Sequence, residues 1–350
     1  MKKTLYGVIL SVATAIIAIF LSDIIGIKFL EFKKSPISPI IFAILIGLLV
    51  NNFSSHISKF EAGFIFCIKY LLKIGIIFLG VRLSLLDFLQ YGSKSLIVVV
   101  PCILSSVIII TLLKDKFNVS DNLSLLIAVG TSICGATAIV ALAPSINAKK
   151  TEITYAIANI TVFGLLAMFL YPIIAEIIFN HDSLAIGLFI GSSIHETAQV
   201  AGSAMIYAEQ YSNQDVIGIA TLTKLVRNTL MVLVIPFLAH RAMSKNNLKT
   251  NISSIFPYFI IGFIVFGLFR TIGDYYFVNY NNIFIEDWNY IISIIKKSAE
   301  LLLIIAMAAV GYNTNFKHFK VLGVKPFYLG FIAASIVGCV SIITISLVFG

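Results

Sequence analysis

Charge is what this chain is short of. Asp, Glu, Lys and Arg make up 12% of it while 59% is hydrophobic; a soluble domain carries about 25% charged residues. The few charges gather in short clusters between long apolar runs, so the soluble-enzyme class is set aside. Cysteine is scarce too. Cys67, Cys102, Cys134 and Cys339 lie scattered in apolar stretches, with no disulfide framework and no CxxC pattern. His, Cys and carboxylates nowhere share ligand spacing, so neither a metal nor another cofactor is expected. No phosphate-binding loop, nucleotide fold or catalytic triad is found, which argues against an enzyme and against ATP-driven transport. No interdomain linker or low-complexity tail divides the chain, so 1–350 reads as one polytopic membrane domain. The net charge of +9 often points to nucleic acid. Here the Lys and Arg sit in loops, and the positive-inside rule explains them without a nucleic-acid partner.

What is present is oil. Apolar runs suited to helices of about 20 residues occupy 5–22, 37–52, 64–83, 95–113, 154–179, 216–239, 255–272, 294–312 and 326–349. Lys2 and Lys3 before the first run resemble a signal peptide. No small-residue cleavage site follows, so an uncleaved first helix is expected. Two further stretches, 121–147 and 184–210, contain twin motifs. Gly130 to Pro144 reads GTSICGATAIVALAP, and Gly191 to Ala204 reads GSSIHETAQVAGSA. Gly130 falls on Gly191, Thr131 on Ser192, Ser132 on Ser193, and Cys134 on His195.

Loop charge favours twin segments that dip in and return. With the N-terminus inside, Lys114/Lys116, Lys149/Lys150, Arg241/Lys245/Lys249 and Lys317/Lys320/Lys325 are then cytoplasmic. His181/Asp182, Glu209/Asp215 and Asp274/Glu286/Asp287 are outside. Lys28, Lys33 and Lys34 resist this scheme. Repetition points the same way. Ile160–Ala175 parallels Lys224–Ala239, with Pro172 on Pro236. Gly80–Gly92 parallels Gly311–Gly323, with Phe88 on Phe319, and Pro39 and Pro257 open a weaker pair. The expected fold is an all-α integral membrane protein of about nine transmembrane helices and two broken or re-entrant helical hairpins. Its inverted repeat comprises repeat one at 37–179 and repeat two at 184–349, with helix 5–22 outside both.

The chemistry is expected at the twin motifs. Glycine beside Ser and Thr lets the backbone leave helical geometry, and a helix starting at membrane depth offers free N–H groups to an anion. Thr131, Ser132, Ser192 and Ser193 would add hydroxyls, with Cys134 beside them. Close packing of small residues is the plainer alternative. Lys224 and Arg227 sit mid-span at i, i+3 spacing, on one helix face, where charge usually meets a cavity or a partner. An anion is one such partner; an internal pair with Glu196 is another. His195 and Glu196 are the candidates for proton coupling, with Gln199 sharing the His195 face and Asn159 a polar candidate from the other half. Sodium coupling through carbonyls leaves little sequence trace.

The two motifs, with KLVRNTLMVLVIP from Lys224 to Pro236, resemble the YeiH-like family of bacterial inner-membrane proteins, known by the label sulfate exporter. SICG-x-[ST]-A followed by IHE-x-AQV is the specific part, and the resemblance covers essentially the whole chain. It implies a multi-pass inner-membrane protein that moves a small inorganic or sulfonated anion across the lipid bilayer. Spans 37–52, 64–83 and their partners are expected to form a scaffold, with a homodimer as its assembly. The plan also looks like elevator-type and cation/proton-antiporter-like folds. Two rivals remain: a cation/proton antiporter with Glu196 as its ion carboxylate, and an anion channel.

Overall fold

The computed structural model describes residues 2–25, 38–54, 57–242, 258–279, 284–314 and 323–349. The loop lysines 28, 33, 34, 245, 249, 317 and 320, and Pro257 and Phe319 of the expected repeat pairs, lie outside them. Every regular element among the described residues is helical. In chain order the helices are α1 (Lys2–Asp23), α2 (Pro39–Phe53), α3 (the helical run Glu61–Arg82), α4 (Leu85–Leu113), α5 (Asp121–Ser132), α6 (Ala136–Leu142) and α7 (Lys150–Phe179). They continue as α8 (Ser183–Ser193), α9 (Thr197–Gln210), α10 (Asp215–Thr229), α11 (Met231–Ala242), α12 (Phe259–Asn279), α13 (Ile285–Asn313) and α14 (Lys325–Val348).

Seven helical runs among the described residues are long and apolar enough to cross a membrane, with α10 and α11 counted together as the run Asp215–Leu238, against nine expected. The expected run at 37–52 folds as α2, whose 15 residues fall short of a span. The run at 294–312 folds within α13, which is 29 residues long but is interrupted by Lys296, Lys297 and Glu300. Large apolar side chains such as Phe53, Leu86, Ile177 and Leu347 point outward, 75–87% exposed, as a lipid-facing surface does and a water-facing one does not.

The chain forms two compact units, each drawing on both expected repeats. The first comprises Met1–Tyr91, Ala201–Thr221 and Tyr258–Asn315; the second comprises Gly92–Val200, Leu222–Pro257 and Phe316–Gly350. In the first, backbones touch where glycines face each other. Gly7 lies against Gly63, and Gly47 against Gly311. A Cβ on Gly47 would stand 2.5 Å from the Ala308 carbonyl, so only glycine permits this crossing. Tyr312 is fixed beside it, stacked on Phe64 at 4.7 Å and hydrogen-bonded to Thr14 at 2.8 Å. Arg82, at the end of α3, pairs with Glu300 at 2.6 Å and reaches Gln214 at 3.2 Å.

In the second unit α7 and α14 run side by side in the same direction. Tyr155 donates to the Gly323 carbonyl at one end, and Tyr171 packs on Gly338 further along. Between them, Asn159 donates to the Pro326 carbonyl at 3.1 Å, and its amide occupies the space where a Cβ of residue 330 would stand. Gly330→Ala is therefore expected to cost about 1–3 kcal/mol through overpacking, read as a lower thermal midpoint of the purified protein. Adding Asn159→Ala should return part of the loss. A Gly330→Ala midpoint equal to wild type would show that Asn159 is free to move aside.

Candidate functional site

Both twin motifs fold as a helix that stops, a short irregular stretch, and a second helix. In the first, Ser120 caps α5 through the Leu123 N–H, and the helix ends at Ser132. Ile133 leaves helical geometry (φ −124°, ψ −95°), and Gly135 takes φ +66°, a conformation that side-chain-bearing residues rarely adopt. Helix α6 then begins at Ala136. In the second, Asp182 caps α8 through the Leu184 and Ala185 N–H groups, and Ile194 is extended (φ −79°, ψ 139°). Helix α9 begins at Thr197.

The first segment returns to the end it left. Ser120, at the start of α5, donates to Glu152 Oε1 at 2.5 Å, and Glu152 lies in the first turn of α7. Within the segment Ile139 folds back over Gly130. At this foot Lys114 donates to Asp121, a bond that holds its ammonium above the usual lysine range. Helix α8 instead starts beyond the opposite end of α7, after the left-handed turn at Asn180. Both breaks lie alongside the middle of α7. Ile160 packs on Gly130 and Gly135, and Gln199 donates to the Thr161 carbonyl at 3.1 Å while accepting the Glu196 N–H at 3.3 Å. Helices α5 and α8 therefore approach from opposite ends and converge on their C-termini.

This polarity sets the chemistry. A helix C-terminus leaves carbonyls without partners and carries about half a negative charge. Lys224 and Arg227 of α10, each fully buried, supply the partners. The Lys224 ammonium donates to Ile133 O at 2.7 Å, Ile194 O at 2.9 Å and His195 O. The Arg227 guanidinium donates from Nε to Ser132 O at 2.7 Å and from Nη1 to Ser192 O at 2.5 Å and Ile194 O at 3.2 Å. Its Nη2 reaches Thr131 O. Among the described residues neither cation pairs with a carboxylate within 4.0 Å. The internal partner is main-chain carbonyl rather than Glu196.

Each remaining site residue of the sequence reading has a definite place. Thr131, Ser132 and Ser192 meet Arg227 through their carbonyls. The Ser132 hydroxyl donates to Val129 O at 3.5 Å and that of Ser193 to Phe189 O at 2.5 Å, while Ser192 shares a 2.7 Å bond with Ser341. These hydroxyls are turned into the packing. Cys134 is buried, its sulfur 3.4 Å from Met231 Sδ. The His195 ring, 1% exposed, lies toward the Thr131 carbonyl, short of hydrogen-bond geometry, and neither ring nitrogen has a partner. Glu196 lies against Gly135, faces the Ala136 N–H, and is only part-buried. The expected helix starts are present at the breaks as well, at Ala136 and Thr197, but they share the crossing with two helix ends.

Sequence reasoning missed Asn228 and Thr197, joined at 3.1 Å from Nδ2 to Oγ1. Asn228 Oδ1 is buried without a partner. Its signal was the i+4 spacing from Lys224, which places it on the same face of α10. No group of three His, Cys, Asp or Glu among the described residues is placed to hold a metal ion.

Removing Arg227 would orphan four bonds to three helix-end residues and a break residue at once. Arg227→Ala is expected to destabilise by about 3–5 kcal/mol, and Arg227→Lys by less, since an ammonium replaces only some of the fork. Thermal unfolding in detergent reads both. A small loss in Arg227→Ala would mean that water reaches these carbonyls.

The model of a family described as "Conserved hypothetical protein 698" matches residues 6–330. A UPF0324 membrane protein of Fusobacterium nucleatum is 34% identical over 348 residues, covering 98% of this chain and 97% of the relative. One of Clostridium tetani is 30% identical over 353 residues, with 97% and 96% covered. A third, of Campylobacter jejuni, is 30% identical over 339 residues, with 95% and 91% covered. No solved structure matches. With a family model spanning nearly the whole chain and relatives at this identity throughout, the chain belongs to the YeiH-like UPF0324 family of membrane proteins.

Proposed function

We propose that this protein is a secondary transporter that moves a small anion, sulfate or a sulfonate first, across the bacterial inner membrane. The observation that carries this reading is the burial of Lys224 and Arg227 at the convergence of two interrupted helices. Irregular backbone at membrane depth is tolerated where it is buried in protein or lines a cavity, and transporters place their sites at such interruptions. Two full positive charges stand there against one nearby carboxylate, Glu196. The two helix C-termini offset about one unit of that charge, so with Glu196 protonated a positive excess remains, and an anion completes the balance.

In this reading Lys224 and Arg227 set the potential while their hydrogen bonds hold the backbone. Contact with the anion falls to groups with an open or unpartnered face: Thr197, Asn228 and the first turn of α9, with Thr131, Ser132, Cys134, Ser192 and Ser193 forming the wall behind. An anion and the Glu196 carboxylate cannot share the site unless the carboxylate carries a proton. Each anion therefore brings one proton, and His195 is the neighbouring relay.

The topology belongs to the same proposal. Segment 121–147 re-enters, supported by the Ser120–Glu152 bond between its foot and the start of α7, and the whole is built as an inverted repeat with its N-terminus inside. Lys116→Cys and Lys150→Cys are expected to react with a membrane-impermeant maleimide from the same, cytoplasmic, side. Labelling from opposite sides would mean that the segment crosses.

A cation/proton antiporter is the second reading. It is favoured by the engagement of all three Lys224 N–H groups with carbonyls, which leaves Glu196 as the part-open ionisable group. Binding to the purified protein separates the two. Sulfate, sulfite, methanesulfonate, bicarbonate and chloride would be compared by thermal shift and calorimetry at acidic and neutral pH. Saturable oxyanion binding, tighter at acidic pH and with that pH dependence flattened in Glu196→Gln, is expected for the anion carrier. Stabilisation by sodium with no response to any anion would replace it with the antiporter.

A further inference from the structure

The Lys224 ammonium has three N–H groups and spends all three on main-chain carbonyls. Ile133 belongs to the first break; Ile194 and His195 belong to the second. Each is non-helical or at a helix end, so these oxygens would otherwise lack donors. No carboxylate completes the shell within 4.0 Å among the described residues. Converging carbonyl oxygens from unwound backbone and helix C-termini are what membrane proteins use to hold small monovalent cations stripped of water.

We propose that Lys224 is a tethered cation, its ammonium filling a monovalent-cation site formed by Ile133, Ile194 and His195. A bound sodium or potassium ion would neutralise the same helix ends, but it would leave and return with concentration. An ammonium on a lysine stem cannot leave. The crossing is therefore closed at every ionic composition, and no alkali cation is needed to assemble it. One consequence rests on the transport reading above: sodium is removed as coupling ion at this point, and the proton is left.

Arg227 makes the proposal testable. It bridges the two breaks through a different set of carbonyls, apart from the shared Ile194, so it still ties them when Lys224 is shortened. Lys224→Ala opens the cage. Lys224→Met fills it with an uncharged chain of similar length.

The experiment is the thermal midpoint of the purified full-length protein in chloride salts of sodium, potassium, ammonium, methylammonium and N-methylglucamine, at fixed ionic strength. Wild type is expected to show one midpoint in all five. Lys224→Ala should fall by about 5–10 °C in N-methylglucamine and regain at least half of that, saturably, in one of the small cations. Lys224→Met should fall and stay down in every salt. The proposal is overturned if Lys224→Ala responds to no cation, or if Lys224→Met recovers as Lys224→Ala does. It is also overturned if wild type itself is saturably stabilised by sodium or potassium, a result read on the native protein even where the alanine variant cannot be purified. Chloride is constant throughout, so the Lys224 variants' outcomes do not bear on whether the carried solute is an anion, which is read from the anion-binding comparison.

Discussion

Two helices that stop in the middle of an apolar protein leave carbonyl groups that water cannot reach, and everything at this site follows from how those groups are satisfied. The partners are two long cations on one turn of α10. Lys224 gathers carbonyls of both breaks onto a point charge, and Arg227 spreads a planar fork across the helix ends beside them. Each bond is charge-assisted, and such bonds are roughly twice as strong as neutral ones. The same bonds lower the cost of burying a lysine and an arginine, since all three Lys224 donors and four of the five of Arg227 are used.

The choice of carbonyl over carboxylate as counter-group has a functional consequence. A direct ion pair with Glu196 would have spent the carboxylate on structure. Instead Glu196 lies beside Gly135 with part of its surface open, next to a histidine whose ring nitrogens have no partner. Ionisable groups left in this state at membrane depth are costly, and the proposed transport reading gives them a use as the proton-carrying pair. On the proposed reading the labour is divided: α10 supplies fixed charge and architecture, and the second break supplies the groups that change state.

Small residues bring the parts close enough for this. Gly135 turns the first break through a left-handed conformation, Gly130 admits Ile139 above it, and Gly164 leaves the space occupied by Gln199. Gln199 then clamps the second break to α7 through the Thr161 carbonyl and the Glu196 N–H. In the first unit the facing pairs Gly7–Gly63 and Gly47–Gly311 bring helix backbones into contact. Glycine and serine in a membrane helix thus mean two different things here, and the hydrogen bonds around them tell which.

Much of this protein is written in its order of residues. Long apolar runs with charge only between them require helices in a bilayer, because no other arrangement buries that much oil and satisfies the backbone. The twin glycine–hydroxyl motifs marked the breaks, the depth of Lys224 and Arg227 marked them as buried, and the family was legible from the motifs in sequence. Span number was less so: α13 keeps helical geometry through Lys296, Lys297 and Glu300, and α2 is 15 residues long. Only the tertiary structure decided the direction of the chemistry. Whether a break presents N–H groups or carbonyls depends on which end of each half-helix reaches the crossing. That is set by the Ser120–Glu152 contact and by the turn at Asn180, not by the motif itself. The hydroxyls of Ser132 and Ser193 look like ligand donors in the sequence and are bonded to their own helices in space. Asn228 and Thr197 look ordinary in the sequence and meet at the site. A hydrogen bond is made by position in three dimensions, and residues dozens of places apart acquire their roles only when the helices bring them together.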